Sequence, residues 1–126
     1  MSDEPQTAPS DPGGRRAAVS NAIVGLFKEF YGKGPTAAKT YFNDDWVFCV
    51  LEGGLTRNEE TFLEHGKHEL VRGVRLEFQA IMRDRMLGEV QAIVGRRVLT
   101  YHSQILFDPV RFVEMFLCEP PLPVGQ

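Results

Sequence analysis

Residues 31–42 read "YGKGPTAAKTYF", and the fold turns on how this stretch is read. Two glycines, a lysine and a threonine look like a loop that grips phosphate. Such a loop needs G-x-x-x-x-G-K-[ST], with a strand before it and a helix after it. The flanking sequence gives the reverse order. Upstream, Val19, Ala22, Ile23, Leu26, Phe27, Phe30 and Tyr31 recur at helical spacing and make one apolar face. Downstream, Ala38–Phe42, then "NDD", then Trp46–Glu52 read as two strands joined by a tight turn. Gly32 therefore falls where a left-handed helix cap belongs. Pro35 stops the helix and removes an N–H that a phosphate cradle would use. The stretch is a corner between a helix and a hairpin.

The same order recurs further along the chain. After "EGGLT" (52–56), the run Thr56-Arg57-Asn58-Glu59 matches a capping box, so Thr56 caps a new helix. Its periodic residues are Leu63, Leu70, Val74, Phe78, Ile81, Met82, Met86, Val90 and Ile93. That span is long for one helix, which predicts a break near Gly66 or Gly73 and an end at Gly95. Val98–Leu106 and Phe112–Cys118 follow as strands around "FDP". "TYFNDDWVFCVLE" (40–52) lines up with "TYHSQILFDPVRFVEMFLCE" (100–119). Thr40-Tyr41 then sits on Thr100-Tyr101, and Leu51-Glu52 on Cys118-Glu119.

A helix with a two-stranded ribbon is not stable alone. Two such units pair best as an α+β fold, with two helix–β-hairpin units forming a four-stranded antiparallel sheet and helices packed on one face. Trp46–Leu51 is apolar at consecutive positions. It reads as a central strand covered on both faces, or with one face covered by a partner subunit. The sheet face away from the helices carries enough apolar residues that dimerisation across it or along an edge is expected.

The 126 residues fit one domain, expected over 15–120. A Pro/Gly/Ser-rich tail at 1–14 is expected to be disordered, and 121–126 to be a flexible end. Net charge is −3, and Asp3, Glu4 and Asp11 account for it, so the body is neutral and nothing draws it to nucleic acid. Cys49 and Cys118 lie in apolar runs without metal-ligand spacing, which reads as buried free thiols in a reducing compartment. No apolar leader opens the chain, and no apolar run spans a bilayer. The expectation is a soluble cytoplasmic protein, without a membrane span of its own.

Candidate sites are few. Lys33, Lys39, Arg57 and the backbone at Gly53-Gly54 can converge on an anion at the N-terminus of the second helix. The alternative is that the glycines serve left-handed turns and the cations are solvated. His65 and His68 share a helix face, but Gly66 lies between them and Glu64 and Glu69 flank them, and no metal is assigned. Arg72, Arg75, Arg83 and Arg85 read as a basic strip on the long helix, or simply as a solvated face. Asp44 and Asp45 stand where a hairpin turn wants Asp. G-x-S-x-G, HExxH and C-x-x-C do not occur. No catalytic residue or cofactor is assigned.

From about Ser20 to Glu119 the sequence resembles the small MpsC-like family. The marks are Gly32, Gly34-Pro35-Thr36, Lys39, the run Leu51-Glu52-Gly53-Gly54-Leu55-Thr56, Arg83-Asp84 and Gly95-Arg96. Trp46 and Cys49 stand where small aliphatic residues are expected. The family is named for a sodium-translocating, membrane-potential-generating system. The resemblance implies an accessory or regulatory protein beside a membrane ion or inorganic-carbon transport complex, and it brings no catalytic residues. With the apolar sheet face, it predicts a non-catalytic homodimer, peripheral to the membrane through a partner. The alternative is a small-molecule or anion sensor built on the Gly53–Arg57 corner. An enzyme of unknown reaction ranks third.

Overall fold

The computed structural model describes residues 12–120; residues 1–11 of the expected 1–14 tail and the end over 121–126 lie outside them, and residues 12–14 are helical. Helix α1 spans Pro12–Tyr31, followed by strands β1 (Ala37–Asn43) and β2 (Trp46–Glu52). Helices α2 (Arg57–Glu64) and α3 (His68–Val94) come next, then strands β3 (Val98–Leu106) and β4 (Arg111–Cys118). Pro12 takes the first helical position, where its missing N–H costs nothing, so α1 begins three residues before the expected domain start at Arg15. Gly66 (φ +74°) breaks the long periodic run, while Gly73 stays inside α3. Gly95 closes α3 in the left-handed region (φ +73°).

All strand pairs are antiparallel, in the order β1-β2-β4-β3. Exchanging the two helix–hairpin units reverses this order into itself, so the architecture repeats. The residues do not repeat. Thr40 is buried and hydrogen-bonded to Ser20 of α1 at 2.7 Å. Thr100 pairs with Leu117 on the open face of the sheet. An irregularity between Val98 and Thr100 shifts the register, which turns Tyr101 inward where Tyr41 points outward.

The helices cover one face. Helix α1 lies over β1 and β2, and α3 lies along α1 and β3. Val19, Ile23, Leu26 and Phe27 meet Val47, Cys49 and Leu51 of β2, Phe112 and Phe116 of β4, and Met82, Met86 and Val90 of α3 in one core. Strand β2 is central but covered on one side only. Its burial alternates, so Phe48 is half-buried on the open face and not in the core. The expected apolar stripe of α3 is also rotated. Val71, Arg75, Met82, Met86, Val90 and Val94 are buried, whereas Leu70, Val74 and Ile81 are 47%, 42% and 65% exposed.

The opening corner is packed backbone against backbone. Gly32 has φ +80° and donates its N–H to the Lys28 carbonyl. Thr36 N–H donates to the Glu52 carbonyl at 2.9 Å, drawing 34–36 against 52–54. Gly53 and Gly54 both have positive φ. A Cβ on Gly54 would lie 3.0–3.1 Å from the Pro35 backbone, but one on Gly32 would meet nothing within 4 Å. Gly32→Ala should therefore cost about 1 kcal/mol, the left-handed penalty alone. Gly54→Ala should cost roughly twice that or more, since it adds overpacking against an immobile backbone. Urea unfolding of the two variants checks the ranking, and equal losses would contradict it.

Candidate functional site

The polar chemistry of the molecule is concentrated beneath the helices. Arg75, on the inner face of α3, is 1% exposed. Its Nε and Nη2 grip the Glu59 carboxylate at 2.5 and 2.6 Å, and Nη2 also donates to the Gly54 carbonyl at 3.2 Å. The guanidinium plane is stacked between rings, with Cζ 3.8 Å from the centroid of Tyr31 and 4.4 Å from that of Phe112. Planar, weakly hydrated guanidinium suits this place better than ammonium would.

Glu59 does two things. As the third residue of α2 it completes the capping box, accepting from Thr56 N–H at 2.8 Å while its own N–H donates to Thr56 Oγ1 at 3.2 Å. It also neutralises Arg75. Burial by itself would raise the Glu59 carboxyl. The hydrogen bonds from Arg75 and Thr56, with the Arg75 charge, outweigh burial and hold it below the usual carboxylate range.

A second carboxyl, Glu114 of β4, is fully buried on the inward side of the sheet. It accepts hydrogen bonds from the Tyr101 hydroxyl and from Ser103 Oγ. Burial pushes it up to about 7, against the two hydroxyl donors and the Arg75 charge. The Tyr101 hydroxyl is raised by burial and by the adjacent Glu114 charge. Tyr31 is raised to about 12 by burial, against Arg75. The Cys49 thiol is raised to about 11, again by burial, and both cysteines are free and buried.

Two cavities adjoin this network. The larger, about 500 Å³, is a mainly apolar groove lined by Phe30, Tyr31, Phe62, Leu70, Val74 and Phe78, with Glu59 and Asn58 also in its wall. Leu70 and Val74, which the rotated α3 stripe left uncovered, are among its lining residues. The smaller, about 110 Å³, lies between α3 and β3, with Arg72, Arg75, Gln79, Ser103 and Gln104 in its wall.

The open face of the sheet carries a further apolar surface. Trp46, Phe48 and Val50 of β2 lie directly opposite Leu117, Met115 and Val113 of β4, forming two adjacent columns that no helix covers. The Trp46 and Phe48 rings stack at 5.8 Å, and Tyr41 extends the patch onto β1, 45% exposed.

The residues singled out in the sequence are placed as follows. Gly53 and Gly54 are built into the corner against Pro35 and Thr36. Lys33 and Arg57 are exposed. Lys39 points onto the open sheet face, its ammonium 5.4 Å from the Tyr41 ring. His65 Nδ1 bonds the Thr61 carbonyl, whereas His68 packs edge-on against Phe107, so the two rings have separate surroundings. The basic strip is largely neutralised. Arg75 is interior, Arg72 pairs with Glu69, and Arg85 pairs with Glu29 and Glu89. Asp44 takes the left-handed turn position (φ +54°), and Asp45 pairs with Arg96.

Sequence reasoning missed the Arg75–Glu59 pair and Glu114. Both left a signal: Arg75 stands four residues after Val71 on the inward side of the helix, and Glu114 stands at an inward position of "FVEMFLC".

Neither the curated proteins nor the solved structures give a match to this chain. A family model described as Na+-translocating membrane potential-generating system (MpsC) matches residues 13–119. That span takes in all but the first residue of α1, the whole sheet, the Arg75–Glu59 pair and Glu114, and on it the chain belongs to the MpsC family.

Proposed function

We propose that this protein is a non-catalytic accessory or regulatory subunit of a sodium-translocating, membrane-potential-generating system. It works from the cytoplasmic side as a dimer, bound to the membrane through its partners. Family membership supports the link to the system. Among the described residues no helix is long and apolar enough to cross a membrane, which agrees with attachment through other subunits. The observation that carries the reading is the uncovered sheet face. Six apolar side chains on its two central strands make a contiguous patch of the kind that marks a protein contact. A second copy presenting the same strands is self-complementary across a two-fold axis. The groove between α2 and α3, with Phe62, Leu70 and Val74 exposed, then remains for an apolar segment of the membrane partner.

Sedimentation equilibrium at micromolar concentration should give a dimer. Phe48→Glu should weaken it by about 100-fold or more, because a charge would be desolvated in the contact, with the melting temperature little changed. Tagged protein should co-purify with integral membrane subunits, and Leu70→Glu with Val74→Glu should abolish that capture while leaving the dimer intact. A monomeric wild type, or capture indifferent to both surfaces, would defeat the reading.

A second reading, a small-anion sensor, is favoured by a different observation: a buried guanidinium nitrogen of Arg75 that has no partner.

A further inference from the structure

We propose that Glu114, Arg75 and Glu59 form a proton-controlled latch on α2. With Glu114 neutral, Arg75 holds α2 in place through Glu59. With Glu114 ionised, two carboxylates compete for one guanidinium and α2 loosens. What the latch regulates rests on the accessory-subunit reading, because α2 forms part of the groove left for the partner.

Among the described residues the buried charged side chains are Arg75, Glu59 and Glu114. One cation therefore stands against two carboxyls, and it balances Glu59 alone. The interior is neutral only while Glu114 keeps its proton, and an unbalanced buried charge is costly. The Tyr101 and Ser103 hydroxyls that bond Glu114 can donate or accept, so they serve either form of the carboxyl. Ser103 is only half-buried and lines the cleft between α3 and β3, which gives the proton a way to solvent.

Position makes the competition direct. Phe112 and Glu114 are successive inward residues of β4, about 7 Å apart along the strand. The Arg75 guanidinium stacks on Phe112 at 4.4 Å, one inward step from Glu114. Burial works against ionisation of Glu114, and the Arg75 charge works for it. The other titratable groups that sense Glu114 are Cys49 on β2, Tyr101 on β3 and Tyr31 on α1. Burial raises all three, so they stay neutral near pH 7 and Arg75 is the counter-charge among them.

Helix α2 is the element that such a competition releases. It has eight residues, too few to stay helical alone. Among the described elements it packs only against α3, and the Glu59–Arg75 pair is the buried ionic link between the two. Asn58, Glu59 and Phe62 line the groove, so a loosened α2 takes away one of its walls.

Amide hydrogen exchange of the full chain across about pH 5 to 9, corrected for the intrinsic pH dependence of exchange, tests the latch. If freeing Arg75 lowers the Glu114 pKa by about one, α2 opens about tenfold more often at the alkaline end. The amides of 60–64 should lose about that much protection, centred near pH 7, while those of 86–94 in α3 change little. Glu114→Gln keeps the side-chain volume and should fold, and it should remove the response of α2. Ser103→Ala deletes a hydrogen bond that favours the ionised form, so it should move the midpoint to higher pH. His65, at the C-cap of α2, also carries an ionisable ring, and His65→Gln should leave the response in place. Equal losses in α2 and α3, a response that survives Glu114→Gln or vanishes in His65→Gln, or a midpoint unmoved by Ser103→Ala would overturn the proposal. Exchange is measured on the chain without membrane subunits, so its failure is distinct from a failure of partner capture.

Discussion

Glu59→Gln should destabilise the protein by about 3–5 kcal/mol, the usual cost of stranding one member of a buried ion pair. The substitution keeps the shape of the side chain and an oxygen to accept from Thr56 N–H, so the capping box largely survives. What it removes is the negative charge 2.5 Å from the Arg75 guanidinium. Arg75 is then a cation shut between Tyr31 and Phe112 without its paired carboxylate. Thr56→Ala is the control for the cap, and it should cost only about 1 kcal/mol. The double variant Glu59→Gln with Arg75→Met removes both charges and should recover most of the loss, because a well-packed apolar replacement of a buried pair is often neutral. Chemical denaturation of the three variants measures all of this. A loss below about 1 kcal/mol for Glu59→Gln would mean that water reaches the pair.

Glu114 should make stability depend on pH in the opposite sense to an ordinary surface carboxylate. Its folded-state pKa is raised from 4.5 to about 7 by burial, against the bonds from Ser103 and Tyr101 and the Arg75 charge. The folded state therefore holds its proton more tightly than the unfolded chain. The contribution is fully present below about pH 4.5 and is lost as pH rises through 7. A shift of that size corresponds to about 3 kcal/mol between those limits. Glu114→Gln keeps the volume and offers donors and an acceptor to Tyr101 and Ser103, but it does not titrate. Between pH 5 and 8 the variant should lose most of the wild-type slope, and above pH 7 it should be the more stable of the two. Glu59 acts in the other direction. Its depressed pKa gives stability that is present above about 4.5 and is lost as pH falls. Thermal melts from about pH 3 to 8 check both signs, and parallel wild-type and Glu114→Gln curves would rule the assignment out.

The elements, their order and most of their ends were legible in the chain, although the start of α1 at Pro12 was not. Gly32 and Gly95 had to close helices because only glycine takes the left-handed cap without penalty, and the Thr56–Glu59 capping box is a four-residue local pattern. Two amphipathic helix–hairpin units too small to stand alone left few arrangements other than a shared four-stranded sheet. The family was legible for the same reason, since its marks at 34–36 and 51–56 are the residues that make the tight corner. Only the tertiary structure decided what each face meets. The register irregularity after Val98 set Tyr101 inward, and the rotation of α3 put Arg75 inside and Leu70 and Val74 outside. The alternation of β2 sent Phe48 to the open face of the sheet. Arg75 and Glu59 are 16 residues apart, and Glu114 is farther still from both. Their pairing and burial depend on packing between elements, which local periodicity does not encode. Hence the helices, strands and corner could be read from the chain, while the buried charges and the cavity beside them emerged only once the helices were laid on the sheet.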